Sequence, residues 1–397
     1  MSDDFDPDQT PTSDFLGFEL LLSDEDRELL GTVRAFMTRE VEPIINDYWT
    51  RAEFPFELIE PMSKLGIAGL AYDGPGCPAR GALVGGMVAM EMSRIDPSIG
   101  TFMGVHGGLA MGSIHLCGSD EQKERWLPEM ARMEKIGAFG LTEPDVGSAI
   151  SGGLGTTATK DGDDWILNGE KKWIGNAAFA DLVIIWARSE EDGEVKGFVV
   201  EKDTPGMTFT KQEDKIALRV VQNAQIHLKD VRVHESNRLQ KAERFADTAN
   251  VLRLTRMDVA WQAAGCARGA YEHALQYTTK REQFGRPIAS FQMVQDLLVK
   301  MLGNVTASVA MNARASQLQD ADMLRDEHAS LCKATSTVRM RETVGWAREV
   351  LGGNGILLEH HVGRFVADAE AIYSYEGTRE INTLIVGRAI TGTSAFV

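Results

Sequence analysis

Ala371-Ile372-Tyr373-Ser374-Tyr375-Glu376-Gly377-Thr378, continuing through Arg379 to Ile390, is the stretch on which the reading of this chain turns. A single carboxylate, Glu376, lies between an apolar, aromatic run and a glycine. Thr378 is placed to N-cap the helix that follows, in which Ile381, Leu384, Ile385 and Ile390 recur on one face. A carboxylate fixed at such a junction loses water on one side. Desolvation disfavours its charged form and raises its pKa toward the range useful to a general base. The same residues also read as a helix-start glutamate stabilised by the helix dipole, and the segment alone leaves both readings open.

Working back from this segment, the spacing of apolar residues predicts long helices over 246–281, 291–320, 326–351 and 362–373. Short loops between long helices make a bundle, here 241–397. Ahead of it the texture is different. Short β-type runs at 138–142, 156–160, 165–167, 182–188, 197–201 and 226–228 are separated by Asp161-Gly162, Asn168-Gly169 and Asp192-Gly193. Successive strands without intervening helices predict an antiparallel β domain over 136–240. Residues 23–135 read as a helical domain. It begins at the capping-box-like Ser23-Asp24-Glu25-Asp26, and its first helix is expected to stop at Pro43. The fold class is therefore α+β, in the order helical, β, helical. The first fourteen residues hold five Asp and no Lys or Arg. Residues 1–22 read as a disordered acidic leader, the opposite of a transit peptide.

A net charge of −17 argues against nonspecific partnership with nucleic acid or an anionic membrane surface. No apolar run approaches the length of a membrane span. Cys77, Cys117, Cys266 and Cys332 form no CxxC, and neither they nor the eight histidines show metal-ligand spacing, so no metal is expected. A reduced, cytoplasmic protein fits this cysteine usage.

Four further stretches can carry chemistry. Phe139-Gly140-Leu141-Thr142-Glu143-Pro144-Asp145-Val146-Gly147-Ser148 leaves a strand for a loop whose N–H groups and hydroxyls could bind a planar heterocycle or a phosphate; it also reads as an ordinary turn. Lys172-Trp173-Ile174-Gly175-Asn176 follows a hairpin, and its Trp also reads as core. Arg281-Glu282-Gln283-Phe284-Gly285 and Glu349-Val350-Leu351-Gly352-Gly353-Asn354-Gly355 both end helices and also read as C-caps. None is a dinucleotide-binding G-x-G-x-x-G.

Taken together with Tyr-Glu-Gly-Thr, Ile381-Asn382-x-Leu384-Ile385 and Gly387-Arg388, these stretches resemble the acyl-CoA dehydrogenase family from about residue 23 to the end. The resemblance implies FAD and an acyl-CoA thioester. Glu376 falls on the base that removes the α-proton while the β-hydrogen leaves as hydride to flavin N5. Phe139, Leu141, Thr142, Gly147, Ser148, Trp173, Ile174 and Gly175 fall on flavin-contact positions, with Thr378 and Glu380 beside them. Ser148 also lies by the phosphate groups of CoA, and Arg256 and Gly377 by the thioester. Arg281, Phe284, Glu349, Gly352 and Gly353 fall on positions that complete the FAD site of a neighbouring subunit, which implies a homo-oligomer, a tetramer, and Gln292 falls on another FAD-contact position.

Within the family the texture is nearest to glutaryl-CoA dehydrogenases and plant short-chain acyl-CoA oxidases. The leading expectation is dehydrogenation of a short- to medium-chain acyl-CoA, with an electron-transferring flavoprotein as acceptor. An oxidase using O2 and a glutaryl-CoA dehydrogenase are the alternatives, and a flavoprotein without catalysis is a third reading. Two departures from the family bear on them. The glutaryl enzymes hold the distal carboxylate with an arginine and a serine after a Glu-x-x-Arg pattern; here, after Glu91-x-x-Arg94, those positions are Gly100 and Gly104. Gly175 stands where most members have threonine, which predicts an open volume through which O2 could reach the flavin.

Overall fold

The computed structural model describes residues 13–396. The N-terminal helical region holds α1 (Asp24–Phe36), α2 (Glu42–Arg51), α3 (Ile59–Ser63), α4 (Ala82–Ile95), α5 (Pro97–Met103), α6 (Met111–Cys117) and α7 (Asp120–Ala131). Ser23 caps α1 by accepting from the Asp26 N–H, and the acids of the first turn suit the dipole. The chain does not stop at Pro43. It runs from α1 through a π-helical turn, Met37–Val41, into α2, where Pro43 occupies the first turn and its missing N–H costs nothing. A second π-helical stretch, Gly104–Ala110, joins α5 to α6.

The middle region holds β1 (Gly137–Gly140), β2 (Thr157–Asp161), β3 (Asp164–Ile174), β4 (Leu182–Ser189), β5 (Val195–Glu201), β6 (Met207–Lys211) and β7 (Ala224–His234), with the short α8 (Ile150–Gly153) after β1. The sheet is mixed, not wholly antiparallel. β5 runs antiparallel along one edge of β4, so β1 and β2 must share the other. Both lie parallel to β4, β1 against Leu182–Ile185 and β2 against Arg188 and Ser189. The loop from Leu141 to Thr156 leaves the sheet at the break between them. β3 then pairs antiparallel with both β2 and β7.

The C-terminal bundle is α9 (Phe245–Lys280), α10 (Gln292–Asp320), α11 (Asp326–Val350), α12 (Val362–Ser374) and α13 (Arg379–Thr391), with a two-residue hairpin of β8 (Glu282–Gln283) and β9 (Arg286–Pro287) after α9. α9 is the central element and packs on α4, α10, α11 and α12. Its approach to α4 is close enough to demand glycine. A Cβ on Gly265 would lie 2.2 Å from the Met90 carbonyl oxygen, and one on Gly269 2.0 Å from that of Arg94.

Residues 1–12 of the expected acidic leader lie outside the described residues. Residues 13–22 are ordered, contrary to expectation. Ser13 is buried and its hydroxyl donates to Glu272 on α9 at 2.5 Å. Phe18–Leu21 forms a 3-10 turn, and Glu19 pairs with Arg34 of α1 at 2.5 Å. A buried polar anchor and an ion pair supply contacts that an acidic composition does not reveal.

Candidate active site

α12 ends at Ser374 and α13 begins after Thr378, whose hydroxyl accepts from the Ile381 N–H. Between them Glu376 and Gly377 both take left-handed backbone, with φ of 54° and 81°. For glutamate this costs on the order of 1–3 kcal/mol and needs surrounding structure to hold it. Lys333 of α11 provides that: fully buried, it donates from Nζ to the carbonyls of Tyr373 and Gly377, each at 2.8 Å. The Asn382 side-chain amide donates to Gly377 and Thr378 carbonyls at 2.9 and 3.0 Å. Burial pushes the Lys333 ammonium down to about 8 against the pull of Glu376.

The Glu376 carboxylate accepts a hydrogen bond from Thr255 Oγ1 of α9 at 2.8 Å. Burial raises its pKa, and the Thr255 hydroxyl, Arg256 and Lys333 only partly offset that. Arg256 is buried, and its Nε has no hydrogen-bond partner among the described residues. The adjoining Tyr375 hydroxyl donates to Gln262 Oε1 at 2.7 Å. Gln262 in turn lines a cavity of about 80 Å³ between α9 and the N-terminal helices. Leu70, Val88, Met92 and Met103 supply apolar walls; Gly100, Gly104, Gly107 and Gly108 supply a wall with almost no side chains. Asp258 and Gln319 add polar groups.

The residues expected at the flavin occupy the break in the sheet edge. Phe139 and Leu141 are buried, Thr142 is half-buried, and Gly147 and Ser148 are exposed on the loop. This loop is tied down by a pair the sequence reading did not single out. Glu143 accepts from buried Lys171 Nζ at 2.8 Å and from the N–H groups of Gly155 and Thr156 at 2.6 and 2.8 Å. Lys171 also donates to the Leu141 carbonyl at 3.2 Å. Burial works to raise the Glu143 pKa, but Lys171 and these donors hold it below the usual carboxylate range.

Next to this loop, β3 carries an extra residue relative to β7 between Lys171 and Ile174. Trp173 sits in that bulge at φ 66°, turned outward and 57% exposed. An indole is seldom left so bare unless it has a surface to cover. Ile174 and Gly175 are buried. The space directly over Gly175 is taken: an added Cβ would lie 3.0 Å from Val105 Cγ2 and 3.7 Å from Val221 Cγ1. The valine of the π-helical stretch has taken the space that the sequence suggested was free.

The remaining expected residues are remote from Glu376 along α9, α10 and α11. Arg281, Gln292, Glu349, Gly352 and Gly353 are exposed, and Phe284 is 94% exposed at φ 54°. Glu380 is exposed in the first turn of α13, paired with Arg379 at 2.8 Å. Within one chain the two groups of residues do not meet.

Three domain models match consecutive stretches: the acyl-CoA dehydrogenase N-terminal domain over 23–134, the middle domain over 138–231 and the C-terminal domain over 245–391. The chain belongs to the acyl-CoA dehydrogenase family. An acyl-CoA dehydrogenase of Bacillus subtilis (strain 168) is 33% identical over 368 residues, 91% of this chain and 96% of that one. The crystal structure of glutaryl-CoA dehydrogenase from Mycobacterium smegmatis superposes with a TM-score of 0.93 at 40% identity, covering 97% of this chain and 99% of that one. A second M. smegmatis glutaryl-CoA dehydrogenase structure, in complex with FADH2, gives 0.93 at 35% identity over 96% and 98%. Among the described residues, no helix is long and apolar enough to cross a membrane.

Thr255, Lys333, Lys171 and Asp258 escaped the sequence reading, and Glu143 and Asn382 stood in quoted motifs without a role. Thr255 adjoins Arg256 but points about 100° away from it round the helix, and only its hydrogen bond to Glu376, 121 positions on, shows its role. Asn382 bonds carbonyls only four and five residues away; the rest announce themselves only through contacts more distant in sequence.

Proposed function

We propose that this enzyme is a FAD-dependent acyl-CoA dehydrogenase that converts a short- to medium-chain acyl-CoA to the 2-enoyl-CoA, with Glu376 as the base. The observation that carries this reading is the Glu376 turn: a desolvated carboxylate with raised pKa, fixed by Thr255 and by the Lys333-anchored backbone, on a turn whose Tyr375 bonds Gln262 in the wall of the cavity of about 80 Å³. Glu376 takes the α-proton. Its backbone N–H lies on the same fixed turn and is the donor available to the thioester oxygen as negative charge develops there. Thr255 keeps the carboxylate in one orientation, and the apolar walls exclude water from the reacting carbons.

The fit to FAD rests on the outward-facing, bulge-held indole of Trp173 and on the braced loop from Leu141 to Ser148 at its side. Those residues would hold the ring, and FAD, when bound, supplies the hydride acceptor for the β-hydrogen. The bare Phe284, Arg281, Gln292, Glu349, Gly352 and Gly353 surface would complete the site of a neighbouring copy, and we assign a homo-oligomer, a tetramer, on that ground. Reduced enzyme would pass its electrons to an electron-transferring flavoprotein.

The test is anaerobic titration of the yellow protein with a panel of acyl-CoAs. Wild type is expected to bleach on mixing. Glu376→Gln is expected to retain FAD and bind thioester yet reduce its flavin at least ~10³-fold more slowly, since general-base catalysis contributes roughly 10²–10⁴. Near-normal bleaching by the variant would remove Glu376 from the role.

A further inference from the structure

The cavity beside Glu376 is more polar than an alkyl chain requires. Glycines on one wall make room for polar groups on the other. A Cβ on Gly104 would lie 2.7 Å from Gln262 Nε2, and one on Gly108 would lie 2.8 Å from Asp258 Oδ2. Gln262 and Asp258 are one helical turn apart on α9 and so present neighbouring polar atoms to the cavity. A larger residue at either glycine would displace them.

Asp258 is desolvated with neither a hydrogen-bond donor nor a cation beside it among the described residues; Glu376 is the one charge acting on it. The nearby Tyr72 hydroxyl is committed to the Gly108 carbonyl at 2.7 Å. Gln319, also on the cavity, has a buried Oε1 without a donor. Gln262 uses its Oε1 for Tyr375, leaving its amide N–H groups for the cavity. Filling this space with a plain alkyl chain would strip water from acceptors and return nothing.

We propose that the preferred acyl-CoA carries a hydroxyl on its chain just beyond the β carbon, at C4 or C5, donating to Asp258 and accepting from the Gln262 amide. A hydroxyl is both donor and acceptor and satisfies both groups. A protonated amine could donate to Asp258 but has no lone pair for Gln262. A distal carboxylate would meet Asp258 with like charge. Burial and the Glu376 charge push the Asp258 pKa up to about 7, which is the signature of an acid lacking the donor that such a substrate brings. This inference rests on the acyl-CoA reading above and names the substrate class of the same site.

The experiment compares freshly prepared pentanoyl-, 4-hydroxypentanoyl-, 5-hydroxypentanoyl- and 5-aminopentanoyl-CoA on FAD-loaded wild type, Asp258→Asn and Asp258→Val. Affinity for the same thioesters is also measured on Glu376→Gln, where no turnover intervenes. At pH 8, above the Asp258 pKa of about 7, wild type is expected to favour one hydroxylated thioester over pentanoyl-CoA by roughly tenfold or more in kcat/KM, as a hydrogen bond to a charged group implies. Glu376→Gln should bind them in the same order. Asp258→Val should lose or invert the preference while still oxidising pentanoyl-CoA, and Asp258→Asn should keep part of it. Pentanoyl-CoA equal to or better than both hydroxylated compounds overturns the proposal, as does a preference for the amine or one that survives in Asp258→Val. If no thioester bleaches wild type, the dehydrogenase reading fails; equal affinities on Glu376→Gln would then overturn the substrate proposal separately.

Discussion

Replacing Asp258 by asparagine should stabilise the protein, and by more as pH rises. Burial and the nearby Glu376 charge raise the Asp258 pKa from 3.8 to about 7 in the folded chain. Between those two values the folded state holds a proton that the unfolded state has released. Stability therefore falls as pH rises through this window, and the loss levels off above the folded pKa. From pH 5 to pH 7 the window spans two units, so at about 1.4 kcal/mol per unit the wild type loses roughly 2–3 kcal/mol that the asparagine variant keeps. With an unfolding entropy of about 2.1 cal/mol/K per residue, a chain of this length converts that into about 3 °C. The assay is thermal unfolding of FAD-loaded, thioester-free wild type and Asp258→Asn at pH 5, 6, 7 and 8. The variant's Tm advantage should grow up to about pH 7 and then hold. An advantage that stays constant within ~1 °C over the whole series would refute the reasoning, because it would mean that Asp258 titrates normally.

Lys333→Met removes a cation that lowers the Glu376 pKa, so the acid limb of kcat/KM should move to higher pH; an unmoved limb would show that Lys333 acts on the turn alone. Glutaryl-CoA should be turned over at least ~10²-fold less efficiently than pentanoyl-CoA, because a buried unpaired charge costs roughly 3–5 kcal/mol and Gly100, Gly104 and Asp258 offer it no cation. Comparable steady-state rates for the two would contradict this. Gly175→Thr should cost about 1–3 kcal/mol of stability through overpacking against Val105 and leave reoxidation by O2 unchanged in stopped flow. Slower reoxidation in the threonine variant would restore the idea of an oxygen path at Gly175.

Most of the architecture was legible because helices and turns are written locally. The long apolar periods of α9 to α12 and the hairpin turn at Asp161-Gly162 fall where residue spacing puts them. The direction of β1 was not. β1 is joined to β4 only through the intervening β2–β3 hairpin, so its direction is set by where that long connection returns, and no short-range signal encodes that. Residues 13–22 were misread for a related reason. An acidic composition describes the average segment, whereas Ser13 donates to Glu272, which lies 259 positions away.

The same distinction divides the site. The turn that holds Glu376 was legible because it is local: Gly377 follows in left-handed backbone and Thr378 caps the helix that restarts, whereas Thr255 and Lys333, which act on the carboxylate, come from distant helices. Gly175 was misleading because a missing side chain says nothing about what fills the space, and here Val105 does. Asp258 was invisible for the converse reason. On α9 it looks like any solvated helix acid, and only the absence of a side chain at Gly108, on another helix, lets it stand desolvated beside the cavity. Gly104 does the same for Gln262. On the proposed reading, substrate choice in this cavity is set by pairs, a glycine on one wall and a polar side chain on the other, so changing either member should change it. Gly108→Ala forces Asp258 to move, since its Cβ would sit 2.8 Å from Oδ2, and it should reproduce the substrate ranking of Asp258→Val without touching the carboxylate. A Gly108→Ala enzyme that ranks the thioesters as wild type does would show that the pairing is incidental.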